Sequence, residues 1–554
     1  MLAFGATSCV GDLDLQPNDP NLVEPGSQNF NENGLAMCYA GIACSGISGA
    51  GSSYVDIDGL DGGTSAYLRL MFTLNEFCAD EMIWIWPNDE GIGDIIAATW
   101  SDNNVIINGA YYRLMAHIGL CNQFLTNTKD DNSSEMQELK AEARVLRAFS
   151  YYNMMDLFGM TSFITEDAEA GAMPEQVSRE FIFNWVEKEL LDIVDNKLIS
   201  SSPLYGRVGL DGAEALLARL YLNAEVFSGT PRWADCQMRC ENIIARHQGT
   251  GFNGSGLAEH YLYLFCRDND AYMPGGSNPG ENEILFGIAF NDTYTQSYGG
   301  PSFVISGTIS NTHYCPRQYY GCSAEWSCIR GRYQMAERFM GQDNQDVRDD
   351  LWLRGMMPAD PDGAWDAENY TDWFTGFTGD WKTTGGNAII KFTGRTPNAA
   401  KDGGWNMTEL PDGTFDCGFP ETAFASTDQP VIRLADIYLM YAECYLSGNV
   451  GDASKALQYV NYVRERAHAV PFAVTELTIR NLMEERSREL YLESVRRTDL
   501  VRNKMFADPA QTVWQFKGNI NNADGTRISQ RNNLYPIPYT VRSAQPDFKQ
   551  NPGY

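Results

Sequence analysis

Residues 432–467 read IRLADIYLMYAECYLSGNVGDASKALQYVNYVRERA, and this stretch decides the fold. Ile432, Ala435, Leu439, Ala442 and Leu446 recur at steps of three and four, the spacing of one buried helical face. The run Ser447-Gly448-Asn449-Val450-Gly451 breaks that pattern. Asp452 then sits where a helix cap belongs, ahead of a second stripe through Ala453, Ala456, Val460, Val463 and Ala467. Two stripes separated by a short turn predict a helical hairpin. The arrangement recurs upstream: Ala213, Leu217, Leu220, Ala224 and Phe227 precede Ser228-Gly229-Thr230-Pro231, and a further helix is expected from Trp233 to about Ala245. Two more helices are readable at about 104–127 and 134–158, the latter with Leu139, Ala143, Leu146 and Phe149 inward. Small alanines beside large Leu or Tyr let helices approach closely, as in tetratricopeptide-type hairpins, although the spacing is too irregular for a 34-residue repeat. The expected fold is mainly α, a scaffold of helical hairpins.

Outward from these hairpins the texture changes. Between about 250 and 425, Gly, Asn, Asp, Thr and aromatics dominate, and Trp326, Trp352, Trp365, Trp373, Trp381 and Trp405 are scattered through the segment. A loop-rich insert of this length is expected to carry a binding surface. A second irregular, aromatic segment spans Asp56 to Trp100, and the two are candidates to converge in space. The chain is thus expected to be one body at 10–554, with scaffold at about 30–250 and 430–554 and the insert at about 250–430. Dividing 554 residues by a typical domain length of about 150 would suggest three or four units, a count that stacked hairpins do not obey.

Charge and motifs narrow the chemistry. With 41 Lys+Arg against 72 Asp+Glu the formal net charge is -31, so nucleic acid and anionic lipid surfaces are disfavoured partners and a neutral ligand is favoured. Glycoside hydrolysis needs two carboxylates across one bond, but no local motif singles out a pair. The five histidines form no HExxH, and neither GxSxG nor a Walker loop is present, so no catalytic residue, metal or cofactor is assigned. Asp56-x-Asp58-Gly59-Leu60-Asp61 has the look of a calcium loop, but the third ligand falls one place late and Tyr67 stands where the bidentate Glu belongs. It reads as an acidic turn. Cys315, Cys322 and Cys328 lack the spacing of a zinc site. Setting Cys9 aside leaves twelve cysteines, readable as buried thiols or disulfides.

Aromatic residues mixed with short polar ones are a stronger signal. Sugar rings present C–H faces that stack on Trp and Tyr, while Asn, Asp and Arg hydrogen-bond the hydroxyls at the rim. Trp84-Ile85-Trp86-Pro87-Asn88-Asp89 has this chemistry, with Trp84 and Trp86 on the same side of an extended segment. Tyr319, Tyr320, Trp326 and Arg330 form a second such group. At the N-terminus, Ala6-Thr7-Ser8-Cys9 has the small residues that precede the modified cysteine of a bacterial lipoprotein, after a short apolar stub. No apolar run elsewhere approaches the roughly 18 to 20 residues of a membrane span.

Several long motifs, in one order, then carry a resemblance. They are 142–149 EARVLRAF with Tyr151-Tyr152 and Phe158-Gly159, 217–222 LARLYL, 433–443 RLADIYLMYAE, 460–467 VNYVRERA, 485–490 ERSREL followed by 497–502 RTDLVR, and the closing Tyr535-Pro536-Ile537-Pro538 and 550–554 QNPGY. Together they resemble the SusD/RagB family of Bacteroidetes outer-membrane lipoproteins over nearly the whole chain. One departure is Ser494-Val495, where the family commonly has Gly before the arginine. The resemblance implies a SusD-like fold and a lipid anchor at Cys9, with residues 1–9 as the remnant of the lipoprotein signal. It implies a non-enzymatic protein on the outer membrane, facing outward, that captures an oligosaccharide and hands it to a SusC-like TonB-dependent transporter. Relatives that bind peptides, and a scaffold that seals the transporter without its own ligand, are the alternatives. In glycan-binding members the sugar contacts lie on irregular loops, including the one after an Asp-Glu dipeptide. Here that dipeptide is Asp80-Glu81, which places Trp84, Trp86, Asn88 and Asp89 on the matching loop. Arg147, Arg219, Glu443, Arg464, Glu485 and Arg488 are expected to pair across the hairpins.

Overall fold

The computed structural model describes residues 28–308 except 47–49, 51–55, 87–88 and 170. It also describes 321–339 without 325 and 327, then 346–348, 352–353, 388–389, 391–398, 404–405, 408–409 and 415–416, and finally 422–554 without 508–512, 515–516, 520–521 and 523. Cys9, Asn88, Tyr319 and Tyr320 lie outside the described residues.

Helices fill both ends of the chain. The first half holds α1 (Gln28–Ala43), α2 (Tyr67–Glu76), α3 (Ile92–Ala97), α4 (Val105–Asn127), α5 (Ser134–Phe158), α6 (Arg179–Asp195), α7 (Leu210–Leu222), α8 (Ala224–Ser228) and α9 (Trp233–His247). After α10 (Gly300–Thr308) and α11 (Tyr333–Glu337) come α12 (Leu434–Gly448), α13 (Ala453–Arg466), α14 (Ile479–Leu490), α15 (Arg496–Arg502) and α16 (Tyr539–Ala544). The six strands that organise the rest are β1 (Met82–Trp84), β2 (Thr161–Phe163), β3 (Glu175–Val177), β4 (Ile284–Ile288), β5 (Ile329–Gly331) and β6 (Gln429–Arg433). They pair only in twos, all antiparallel: β1 with β5, β2 with β3, and β4 with β6. The fold is mainly helical, as the periodicity predicts. Among the described residues, no helix is long and apolar enough to cross a membrane.

The helix starts follow from capping residues. Asn104 Oδ1 accepts from the backbone N–H groups of Ile106 and Ile107, Ser133 Oγ from Met136, and Asp452 Oδ1 from Lys455 at 2.9 Å. Each such cap contributes about 1 kcal/mol by satisfying donors the helix leaves open. The hairpin α12/α13 packs against α9 and α14, so the two ends of the chain share one core.

Within that core lies a buried ion-pair network. Arg433 reaches Glu283, Glu489 and Glu493 at 2.7 to 3.0 Å, and Arg466 reaches Glu283 and Glu489 at 2.6 and 2.7 Å. Arg348 binds Asp346, Glu485 and Glu489. Glu283, just before β4, thereby ties the irregular middle of the chain to β6 and α13. Of the residues expected to pair across the hairpins, Arg219 meets Asp436, Glu443 meets Arg502, Arg464 meets Glu485 and Arg147 reaches Glu166 and Glu189, whereas Arg488 pairs with Glu485 one turn away on its own helix. Asp80 and Glu81 also serve the framework, Asp80 through Arg338 and Arg496 and Glu81 through Ser487. All ten cysteines among the described residues are unbridged, so the disulfide alternative finds no pair there.

Ser494 stands in the turn between α14 and α15 with φ +62°, and Leu492 has φ +63°. The family's usual glycine position is therefore a left-handed one that serine occupies under strain.

Candidate binding cleft

The pairing of β1 with β5 brings the two irregular segments together. Met82 faces Gly331, Ile83 faces Arg330 and Trp84 faces Ile329, and the ladder continues as Ile85 N–H donates to Cys328 O at 2.9 Å. Trp326 is fixed just before β5 by its N–H donating to Ser306 O at 2.9 Å. Gly307 permits this close approach, since a Cβ there would lie 2.6 Å from the Ile329 side chain. The result is a cleft of about 510 Å³ whose walls include Asp61, Arg69, Trp84, Trp86, Asp89 and Trp326.

The two tryptophans of the first segment do different work. Their ring centroids are 5.7 Å apart at 86°, edge to face. Trp84 is only 3% exposed, stacked at 5.8 Å and 19° on Phe303 and packed against Phe77. Its indole N–H donates to Asp89 Oδ2 at 3.0 Å. Trp86 is 37% exposed and presents its ring at the cleft mouth. The expectation that both rings serve as open platforms is thus corrected: Phe303 covers the Trp84 face, and Trp84 supports the cleft from beneath. Half-buried Trp326 continues the aromatic line to Tyr298 at 5.3 Å, and Tyr298 to Phe424 at 5.0 Å.

Arg69, on the first turn of α2, is the cleft's cation. Its guanidinium carbon lies 4.6 Å from the Phe303 ring centroid and 5.7 Å from those of Trp84 and Trp326. Such cation–π contacts each contribute about 0.5 to 2 kcal/mol and fix the plane of the group. Among the described residues no carboxylate is within ion-pair distance of it. Burial lowers its pKa from the ordinary arginine value, while the fields of Asp61 and Asp89 oppose that shift. Asp61 Oδ1 accepts from the Thr64 N–H at 3.0 Å. Burial alone would raise the Asp61 pKa, but the hydrogen bonds from Thr64 hold it below the usual carboxylate range. Asp61 therefore stays an anion at neutral pH. Asp56, its neighbour in the calcium-like run, is bound by Arg113 at 2.7 Å.

Of the residues singled out from sequence, Trp84, Trp86, Asp89 and Trp326 meet in this cleft. Arg330 does not reach it: opposite Ile83 in β5 it is buried, with Nη1 donating to the Ile329 carbonyl. Sequence reasoning missed Arg69, Thr73 and Glu90 as cleft residues and took Asp61 only as part of an acidic turn. Arg69 lies inside the apolar run 67–76 YLRLMFTLNE, which reads as a core helix with one tolerated charge. Its one available signal is a cation placed eight residues after an acid turn.

The chain aligns with the starch-binding protein SusD of Bacteroides thetaiotaomicron at 30% identity over 573 residues, covering 100% of this chain and 97% of that protein. It belongs to the SusD family. The SusD family model matches residues 282–554, which include β4, most of the insert and the C-terminal helices. The SusD-like protein P25 of Formosa agariphila is 39% identical over 457 residues, with 77% of this chain and 74% of that protein covered. Among solved structures, a SusD superfamily protein from Parabacteroides distasonis superposes with a TM-score of 0.68 at 19% identity, covering 96% of this chain and 100% of the other. Surface glycan-binding protein A from Bacteroides thetaiotaomicron, in complex with laminarihexaose, gives 0.65 at 17% identity, with 95% and 99% covered. These structural likenesses establish a SusD-like helical fold.

Proposed function

We propose that the cleft binds a neutral glucan oligosaccharide and that the protein, without catalysis, delivers it to a SusC-like TonB-dependent transporter. The observation that carries this reading is a cleft that brings together the Trp86 and Trp326 rings, Arg69 with its guanidinium 5.7 Å from the Trp326 ring, and the Asp61 and Asp89 carboxylates. Aromatic faces accept the C–H faces of a sugar, a guanidinium donates to adjacent hydroxyls, and carboxylates accept from them. Asp61, Asp89 and Glu90 outnumber Arg69, so an anionic chain would meet net repulsion. Relatives named for binding starch and laminarin, both neutral, support a glucan. In this reading Cys9 carries the lipid that holds the protein on the outer face of the outer membrane. The helix pairs form a tetratricopeptide-like body under the cleft, within a single domain at 10–554. Asn88, Tyr319 and Tyr320 remain candidates for the rim.

Isothermal titration with maltoheptaose and laminarihexaose tests the proposal. One of the two should bind, and Trp326→Ala should weaken it about tenfold, or ~1.4 kcal/mol. Absence of heat with both glucans and with a wider neutral panel would overturn the reading. Reducing-sugar release from a bound glucan would overturn its non-catalytic part.

A further inference from the structure

Two buried carboxyl groups face each other where α2 ends and β1 begins. Glu76 is the last residue of α2 and 0% exposed, and among the described residues neither of its oxygens accepts a hydrogen bond. Glu81, just before β1 and 1% exposed, stands within hydrogen-bond reach of it. Glu81 Oε1 accepts from the Ser487 hydroxyl on α14 and lies 3.4 Å from Arg496 Nε on α15, but Glu81 Oε2 also lacks a donor. The cations around the pair have other partners. Arg338 and Arg496 bind Asp80, Arg332 donates to the Ala79 carbonyl, and Lys391 donates to Glu493 and to the carbonyls of Glu489 and Tyr491. The Ser494 backbone N–H acts on Glu76 without reaching hydrogen-bond geometry. Two carboxylates in contact and away from water do not both ionise; one keeps its proton. Burial, and then the charge of Glu81, push Glu76 well above the usual carboxylate range. Burial raises Glu81 too, but the fields of Arg496 and Arg338 favour its anion.

We propose that Glu76 holds a proton at neutral pH and donates it to Glu81 Oε2, making a pH-sensitive clasp between α2 and β1. The shared proton turns two opposed acceptors into a donor and an acceptor. Glu81 is the anion of the pair because Arg496 and Ser487 face it, whereas no side-chain donor faces Glu76. α2 carries Arg69 and β1 carries Trp84, so the clasp joins two elements that wall the cleft. Loss of the proton sets two negative charges across this junction and loosens it. The inference is independent of the glucan reading.

The test is infrared spectroscopy on the full chain grown with carbon-13-labelled glutamate. At pH 7 the wild type should show the label-shifted carbonyl band of a protonated glutamic acid, and Glu76→Gln should lack it, since an amide donates to Glu81 without a titrating proton. An unfolded glutamate releases its proton near pH 4.5 and the fold keeps it, so the stabilisation from the pair is complete below that value and is lost as pH rises through the folded pKa. From pH 6 to 8 the folded-to-unfolded ratio, read by urea unfolding, should therefore fall up to about tenfold more per pH unit in wild type than in Glu76→Gln. Glu76→Met, similar in volume and without a titrating group, should flatten the profile in the same way and keeps the test usable if the amide variant fails to fold. No protonated-glutamate band in the wild type, the same band in both variants, or parallel pH profiles would each overturn the proposal.

Discussion

Arg466 and Arg69 are both arginines held against aromatic rings, and they serve opposite ends. Arg466 lies 5.3 Å from the Tyr261 ring centroid and has its donors on Glu283 and Glu489. Arg69 lies over Phe303, between Trp84 and Trp326, with no carboxylate in ion-pair distance among the described residues. In the helical body the guanidinium is consumed by the protein itself, and the rings merely exclude water. In the cleft, among the described residues, rings flank the guanidinium and the Asp61 and Asp89 carboxylates act on it only from beyond ion-pair distance. The lesson is that burial of an arginine does not reveal its role; the identity of the partner does.

The sharpest way to break this contrast is to remove a partner from each region. Glu489→Leu strips one carboxylate from Arg348, Arg433 and Arg466 together, leaving buried positive charge uncompensated. The expected cost is about 3 to 5 kcal/mol, read as a marked fall in Tm or as loss of soluble protein. A Tm near wild type would show that the network is redundant. In the cleft, Trp84→Ala should cost ~3 kcal/mol of stability by opening a void beside Phe303 and Phe77, whereas Trp86→Ala should leave Tm nearly unchanged and weaken glucan binding about tenfold. Equal Tm losses in the two variants would erase the distinction between support and platform.

A pH titration separates body from cleft by a further effect. His117 is buried in α4, its Nε2–H donating to Cys38 O at 2.8 Å and its Nδ1 accepting from the Ser150 hydroxyl at 2.7 Å. Burial pushes its pKa down to about 4, with nearby Arg113 adding to the shift against the hydrogen bond to Cys38. An unfolded chain takes up the proton near pH 6.5, so the stabilisation from neutral His117 is complete above that value and is lost as pH falls toward 4. The loss approaches about 3 kcal/mol over that interval. Denaturation midpoints measured from pH 7 to 4.5 should fall less steeply for His117→Gln than for wild type, and parallel slopes would refute the assignment. Asp61 and Arg69 keep their charges across the same window. Removing the cleft cation by Arg69→Ala should lower glucan affinity by about 2 kcal/mol and should also lower Tm, since its cation–π contacts with Phe303, Trp84 and Trp326 go with it.

The hairpins were legible because their information is local. The stripe through Leu439, Ala442 and Leu446 and the cap at Asp452 need no distant partner to be read, and the helices fall within a few residues of the expected bounds. The aromatic half of the cleft was legible from composition, since Trp84, Trp86, Asp89 and Trp326 all reach it. What local sequence does not encode is which face a ring shows. Trp84 is covered because β5 and Phe303, far along the chain, arrive on one side of it, and Arg330 is buried for the same reason. Arg69 was invisible because a single cation in an amphipathic helix looks alike whether it meets a carboxylate or a ring.

The smallest effect concerns the turn that precedes α15, where the body departs from its family. Ser494 holds φ +62°, a conformation that costs a side-chain-bearing residue about 1 to 2 kcal/mol relative to glycine. Glycine would lose part of that advantage through the greater freedom of the unfolded chain, so Ser494→Gly should gain about 0.5 to 1 kcal/mol and raise Tm slightly. Ser494→Ala is the discriminating control. Alanine keeps the Cβ and hence the strain, so it should match serine and not glycine. If both variants rise together, the penalty lies in the hydroxyl and not in the backbone. The neighbouring Leu492, at φ +63°, predicts a further gain on replacement by glycine only if its 1% exposed side chain contributed nothing; because that side chain is buried, Leu492→Gly should instead destabilise. Opposite signs at two positions of equal φ would show that backbone strain decides the outcome only where the side chain makes no core contact.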